Sequence, residues 1–298
     1  RWAPSPRPPP AAPCRCPPSC PRLPCPRPRL LPARSGSEVR PLVAVAQVTS
    51  TPDKEQNWSV CSALVREAAQ HGAGLIFLPE GFDFIGLNPE QTLGMAEALD
   101  GPLLRRYMEL ARDLGVWLSL GGFHERGQDW ESTQRIYNCH VVLDSMGHLV
   151  AAYRKTHLCD VELEGRVSMK ESSFTNPGTE IVAPVSTPAG KVWHRPAPTS
   201  PPMSHPPRPR QVLLRARAIE NQCYVVAAAQ TGKNHEHRTS YGHSLVVDPW
   251  GAVVAQCREG PGLCYAEIDL EYLHRIRREI PVQSHRRHDL YGTVGLVP

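Results

Sequence analysis

Nowhere in this 298-residue chain do about 18 apolar residues follow one another, so no membrane span is expected. No apolar segment follows the basic start, so a secretory leader is not expected either. Acidic residues are missing before Glu38, while Arg1, Arg7, Arg15, Arg22, Arg27, Arg29 and Arg34 all lie in that stretch. These arginines more than account for a net charge of only +4, and the rest of the chain is nearly balanced. So mild an excess gives no ground for a nucleic-acid partner. The arginine-rich start resembles a mitochondrial transit peptide in charge, but its prolines would break the amphipathic helix such a peptide forms. A disulfide framework is missing as well. Of ten cysteines, Cys14, Cys16, Cys20 and Cys25 sit in the proline-rich start at spacings that fit no standard zinc pattern. The others are scattered singly, several in apolar runs such as Asn138-Cys139-His140-Val141-Val142. Buried single thiols point to a reducing compartment. The cytoplasm is the expected location, with the mitochondrion left open.

What the chain has in excess is proline: 32 residues, roughly twice the usual ~5%. One cluster makes residues 1–38 read as a disordered tail. The other is residues 192–210, VWHRPAPTSPPMSHPPRPR, in which seven of nineteen are proline. Such text can form neither a helix nor a central strand. The domain expected over 39–298 is therefore interrupted at 192–210.

Between these clusters the pattern is that of an α/β protein. Leu42 to Val48 is a continuous apolar run, read as a strand buried on both faces. Thr51-Pro52-Asp53 starts a helix that His71-Gly72 ends. Leu75 to Leu78 is a second buried strand, a helix follows from Pro102 to Leu114, and Val116 to Leu120 is a third strand. Asp144-Ser145-Met146-Gly147 and Asp248-Pro249-Trp250-Gly251 read as hairpin turns, the first between Ile136–Leu143 and His148–Tyr153, the second between Tyr241–Val247 and Ala252–Gln256. A helix from Gln211, strands over Tyr224–Ala229 and Leu263–Ile268, and a basic helix over Leu270–Glu279 complete the reading.

Two local motifs carry chemistry. Phe77-Leu78-Pro79-Glu80 puts an acid just past a buried strand, and Tyr153-Arg154-Lys155-Thr156-His157-Leu158 puts a lysine past another. Functional groups in open α/β sheets gather beyond strand carboxyl ends, although either residue alone would ordinarily be a solvated loop charge. Together with Gln47-Val48, Gly121-Gly122-Phe123, Ile136-Tyr137-Asn138, the run Arg215 to Asn221 and Gly242-His243-Ser244, they make the chain resemble the nitrilase, or carbon–nitrogen hydrolase, family over about Glu38 to Tyr291, apart from the insert.

That resemblance implies an αββα four-layer sandwich and an amidase acting on small linear amides, with deaminated glutathione, a γ-linked α-keto amide, as the suggested substrate. It implies no metal or organic cofactor, no membrane partner, and homo-oligomers in intact family members. The implied site is a glutamate, a lysine and a cysteine, with a second glutamate in support. By motif the first glutamate is Glu80, general base and then acid; the lysine is Lys155, which stabilises the oxyanion; the supporting glutamate is Glu171, ahead of Glu162 and Glu164. A thiol needs such a base because it is mostly protonated at neutral pH, and the tetrahedral intermediate needs a cation.

The nucleophile does not appear. In the family it lies on a strand-to-helix turn that should follow Ser186 to Lys191, where the proline-rich insert stands instead. A strand–helix–strand unit needs roughly 30 residues, and the insert holds no cysteine. Among the other thiols, Cys139, Cys223, Cys257 and Cys264 occupy no such turn, and Cys159, four residues from Lys155, is the one substitute worth testing. The expected product is an incomplete sandwich, weakly stable and catalytically impaired, with a splice variant or faulty gene model as its origin. The alternative function is a non-catalytic interaction protein whose Pro/Arg segments dock as extended helices.

Overall fold

The computed structural model describes residues 40–163, 167–193 and 208–291. The tail expected over 1–38 and residues 194–207 of the insert lie outside them. Along the chain come β1 (Leu42–Val48), α1 (Lys54–Gln70), β2 (Leu75–Leu78), α2 (Pro89–Met95), α3 (Pro102–Leu114), β3 (Trp117–Glu125), α4 (Trp130–Thr133), β4 (Tyr137–Leu143) and β5 (Leu149–Arg154). Two small hairpins follow, β6 (Asp160–Leu163) with β7 (Val167–Lys170), and β8 (Val185–Thr187) with β9 (Gly190–Val192). A 3-10 turn at Glu171–Ser173 lies between them. The chain continues with α5 (Arg208–Asn221), β10 (Val225–Ala227), β11 (Ala229–His235), β12 (Arg238–Tyr241), β13 (Leu245–Val247), β14 (Val253–Gln256) and β15 (Gly262–Glu267). It closes with α6 (Leu270–Glu279), α7 (Val282–His285) and α8 (His288–Tyr291).

The larger sheet runs β12-β11-β1-β2-β3-β4-β5, with β15 antiparallel to β1. β1, β2, β3 and β11 are parallel to one another. A second sheet runs β10-β13-β14. Alternation along the strands shows how the layers stack, because successive side chains point to opposite faces. Ala44, Ala46 and Val48 join Val65 and Ala68 of α1 and Leu104 and Tyr107 of α3 in one core. Val43 and Val45 join Val246 of β13 and Cys264 and Ala266 of β15 in a second, between the sheets. Leu245, Val247 and Ala227 turn the other way, onto Leu214 and Ala218 of α5. Helices, sheet, sheet, helix: the three cores are the three interfaces of an αββα sandwich.

Local chemistry sets the ends. Asp53 caps α1 by accepting from the backbone N–H of Gln56 at 3.0 Å, and α3 stops at Gly115, in the left-handed region at φ 65°. Four expectations need correction. β3 runs past Leu120 to Glu125, because a register shift at Gly121-Gly122 lets its ladder to β4 resume at Phe123. The single strand expected over Tyr224–Ala229 is two, β10 in the smaller sheet and β11 against β1. The strand expected from Tyr241 likewise splits at Gly242-His243-Ser244 into β12 and β13. Helix α5 begins at Arg208 inside the insert, since a proline in the first turn gives up an N–H that has no helical partner.

Candidate functional site

Glu80 stands in the turn after β2. Pro79 cannot extend the ladder, and the chain turns sharply, with Gly81 N–H donating to the Gly122 carbonyl at 3.0 Å. The Gln230 amide on β11 donates to the carbonyls of Glu80 and Gly81 at 3.1 Å each. Gly122 must be glycine here. Its φ is 56°, and a Cβ would lie 2.4 Å from Glu80 Cγ and 2.9 Å from Asn138 Oδ1. The bulge in β3 thus makes room for the Glu80 side chain.

Lys155 follows β5. Its N–H donates to the Asn138 carbonyl at 2.8 Å, and its own carbonyl accepts from Gly178 N–H at 2.9 Å. The preceding Arg154 is spent elsewhere: Nε donates to Glu125 Oε2 at 2.9 Å, and the guanidinium lies 3.9 Å from the Tyr137 ring centroid. Glu171, at the start of the 3-10 turn, is held by the Cys159 N–H, which donates to its Oε2 at 2.6 Å.

The three side chains converge. Lys155 Nζ donates to Glu80 Oε1 at 3.1 Å and to Glu171 Oε2 at 3.0 Å. Asn138 Nδ2, from β4, bridges the same carboxylates at 2.6 Å and 3.0 Å. The Lys155 and Glu171 side chains are 5% and 12% exposed and that of Glu80 is 42% exposed, so the cluster is closed beneath and open at Glu80. Burial works to raise the Glu80 carboxyl, but the Lys155 ammonium and the Asn138 amide outweigh it and hold its pKa below the usual value. Burial works to neutralise Lys155, and the two carboxylates outweigh that too, raising its pKa. Glu80 and Lys155 are therefore both charged at neutral pH: a carboxylate able to accept a proton stands beside an ammonium able to stabilise negative charge on a bound oxygen.

The other residues raised by the sequence fall elsewhere. Glu162 is exposed on β6, and Glu164 lies outside the described residues. Cys139 is packed in the helix-facing core, and burial pushes its thiol pKa up; Cys61 is held at about 12 by the same cause. Cys257 and Cys264 lie between the sheets. Cys159 and Cys223 are half-buried, and Cys159 reaches the cluster through its backbone. Brief iodoacetamide treatment of the folded chain should alkylate Cys159 and Cys223 and spare Cys61, Cys139, Cys257 and Cys264, as read by peptide mass spectrometry. Labelling at Cys139 before Cys159 would contradict this packing.

Sequence reasoning did not single out Asn138, Gly122 or Gln230 for the site. The signal available for Asn138 was an amide inside a strand, where asparagine is depleted.

Fold and cluster together define a class, and comparison agrees: the carbon–nitrogen hydrolase profile matches residues 42–193 and 199–278. The chain belongs to the carbon–nitrogen hydrolase family. It is 58% identical over 292 residues to the deaminated glutathione amidase of Homo sapiens, covering 91% of this chain and 89% of the relative. Among solved structures, the Caenorhabditis elegans NitFhit protein superposes with a TM-score of 0.78 at 43% identity, covering 85% of this chain and 66% of that one. Saccharomyces cerevisiae Nit3, of the nitrilase superfamily, gives 0.70 at 25% identity, covering 83% and 97%.

Proposed function

We propose that this chain carries the amidase machinery of its family, directed at the amide of deaminated glutathione, and that it lacks the nucleophilic cysteine needed for turnover. Glu80 is assigned as general base, Lys155 as oxyanion stabiliser and Glu171 as supporting carboxylate. The observation that carries this reading is Lys155 Nζ held between Glu80 Oε1 at 3.1 Å and Glu171 Oε2 at 3.0 Å. The substrate is drawn from the name of the human relative. As for the nucleophile, no cysteine lies between Cys159 and Cys223, and only residues 193–207 separate β9 from α5, too few for a strand–helix–strand unit of roughly 30. Without a thiol, Glu80 can at most draw a proton from water.

The test is incubation of the purified full chain with deaminated glutathione, measuring the α-keto acid and the peptide amine that leaves with it, beside Lys155→Ala. Equal, background yields from both support the reading. Product that disappears in Lys155→Ala overturns the missing-nucleophile half, and its loss in Cys159→Ser as well would assign that role to Cys159.

The same gap bears on stability. Strand β10 pairs with β13 on one side and, among the described residues, with no strand on the other. An open edge invites association, and unpaired buried backbone groups cost about 1–3 kcal/mol each against a total of ~5–15 kcal/mol. The chain is expected to melt below the ~45–65 °C common to mesophilic domains and to aggregate with rising concentration. A cooperative calorimetric transition inside that range, unchanged by concentration, would count against an incomplete sandwich.

A further inference from the structure

We propose that Arg238 receives a carboxylate carried by the amide substrate, so that the cleft selects acidic amides over neutral ones. This rests on the amide-hydrolase reading above, whose substrate already carries carboxylates, and adds to it the residue that reads their charge.

Arg238 opens β12, paired in register with His235 of β11. That hairpin is tied down beside the Glu80 turn. Gln230 on β11 holds the Glu80 and Gly81 carbonyls. The Asn234 amide donates to the Ser50 carbonyl at 2.9 Å, and Ser240 Oγ donates to Asn234 Oδ1 at 2.6 Å. The Arg238 residue is exposed, yet the protein around it works against its positive charge, and the Glu80 and Glu171 carboxylates work to keep it. Among the described residues its side chain makes no hydrogen bond or ion pair, in contrast to Arg154 with Glu125 and Arg106 with Glu55.

The two cations beside the cluster thus differ in what they have left to give. Lys155 is 5% exposed and committed to Glu80 and Glu171. Arg238 keeps its N–H donors unspent, in a planar fork suited to a carboxylate. Charge makes the same point. Two carboxylates and one ammonium leave the inner cluster with one net negative charge, which repels an anionic ligand. Arg238 at the rim cancels that charge and offers a bidentate partner, while Lys155 stays free to act on the amide oxygen.

Titration calorimetry on the full chain tests this with two probes, 5-amino-5-oxopentanoate, an amide ending in a carboxylate, and pentanediamide, its neutral isostere. The wild-type chain should bind the acid at least tenfold more tightly. Arg238→Gln should abolish that preference and leave pentanediamide affinity unchanged; Arg238→Lys should keep part of it. Because the side chain is exposed, the fold should survive, as circular dichroism will check. If both probes bind wild type alike, or the preference survives Arg238→Gln, the inference falls and the amide site stands. If wild type binds neither probe, the amide-site reading falls and takes this inference with it.

Discussion

Lys155→Met should lower the melting temperature by roughly 10 °C, through a loss of about 2–4 kcal/mol. The substitution keeps the volume and removes the charge, leaving Glu80 and Glu171 facing each other across Asn138. Breaking a buried ion pair on one side costs about 3–5 kcal/mol because the remaining charge is uncompensated; the open flank of Glu80, 42% exposed, moderates that here. The pH dependence gives a second signature. In the wild type the Glu80 pKa is depressed, so its contribution is full above about 4.3, the unfolded value, and is lost as pH falls through the lower folded value. Lys155 is raised, so its contribution is full below about 10.4 and is lost as pH rises through the higher folded value. Between pH 5 and 7.5 these two groups leave wild-type stability flat. In the variant, burial is no longer opposed by the ammonium, the Glu80 carboxyl moves upward, and the folded state binds more protons than the unfolded one. The variant should then be more stable at pH 5 than at pH 7.5. A melting temperature within about 2 °C of wild type, or no recovery at pH 5, would show that the cluster is not the charged pair described.

The second large effect is on turnover. Removing the nucleophile from a concerted hydrolytic site typically costs about 10⁶ in kcat, and what survives is a residual ~10³–10⁴ over water from binding and oxyanion stabilisation. The chain, measured beside the human relative with which it shares 58% identity, should therefore release acid from deaminated glutathione about 10⁶-fold more slowly. Substrate binding should persist, since Lys155, Asn138 and the open side of Glu80 are in place. Turnover within a hundredfold of the relative is the result that would sink the proposal.

How far the residues announced the fold varies by element. The boundaries of β2 and α3 were legible to the residue, because Pro79 stops one and Gly115 the other. The overrun of β3 and the division at Ala228 were not. A two-residue periodicity says that a strand has two apolar faces, not which sheet each face meets. That choice depends on β1 pairing with both β11 and β15, about 180 and more than 200 residues away. The site divides in the same way. Glu80 and Lys155 were recognisable because each ends a strand in a distinctive motif, and Glu171 by its place after them. Asn138 and Arg238 gave little local sign, since their importance lies in what comes near them from elsewhere in the chain.

The sequence by itself determined the α/β alternation, the family, the two proline-rich clusters and the lack of a cysteine between Cys159 and Cys223, all of them properties of neighbours along the chain. Only the tertiary structure decided that one ammonium is shared by two carboxylates, that a bulge at Gly122 admits Glu80, and that Arg238, among the described residues, enters no ion pair. Those depend on distances between residues far apart in the chain, which local composition leaves open.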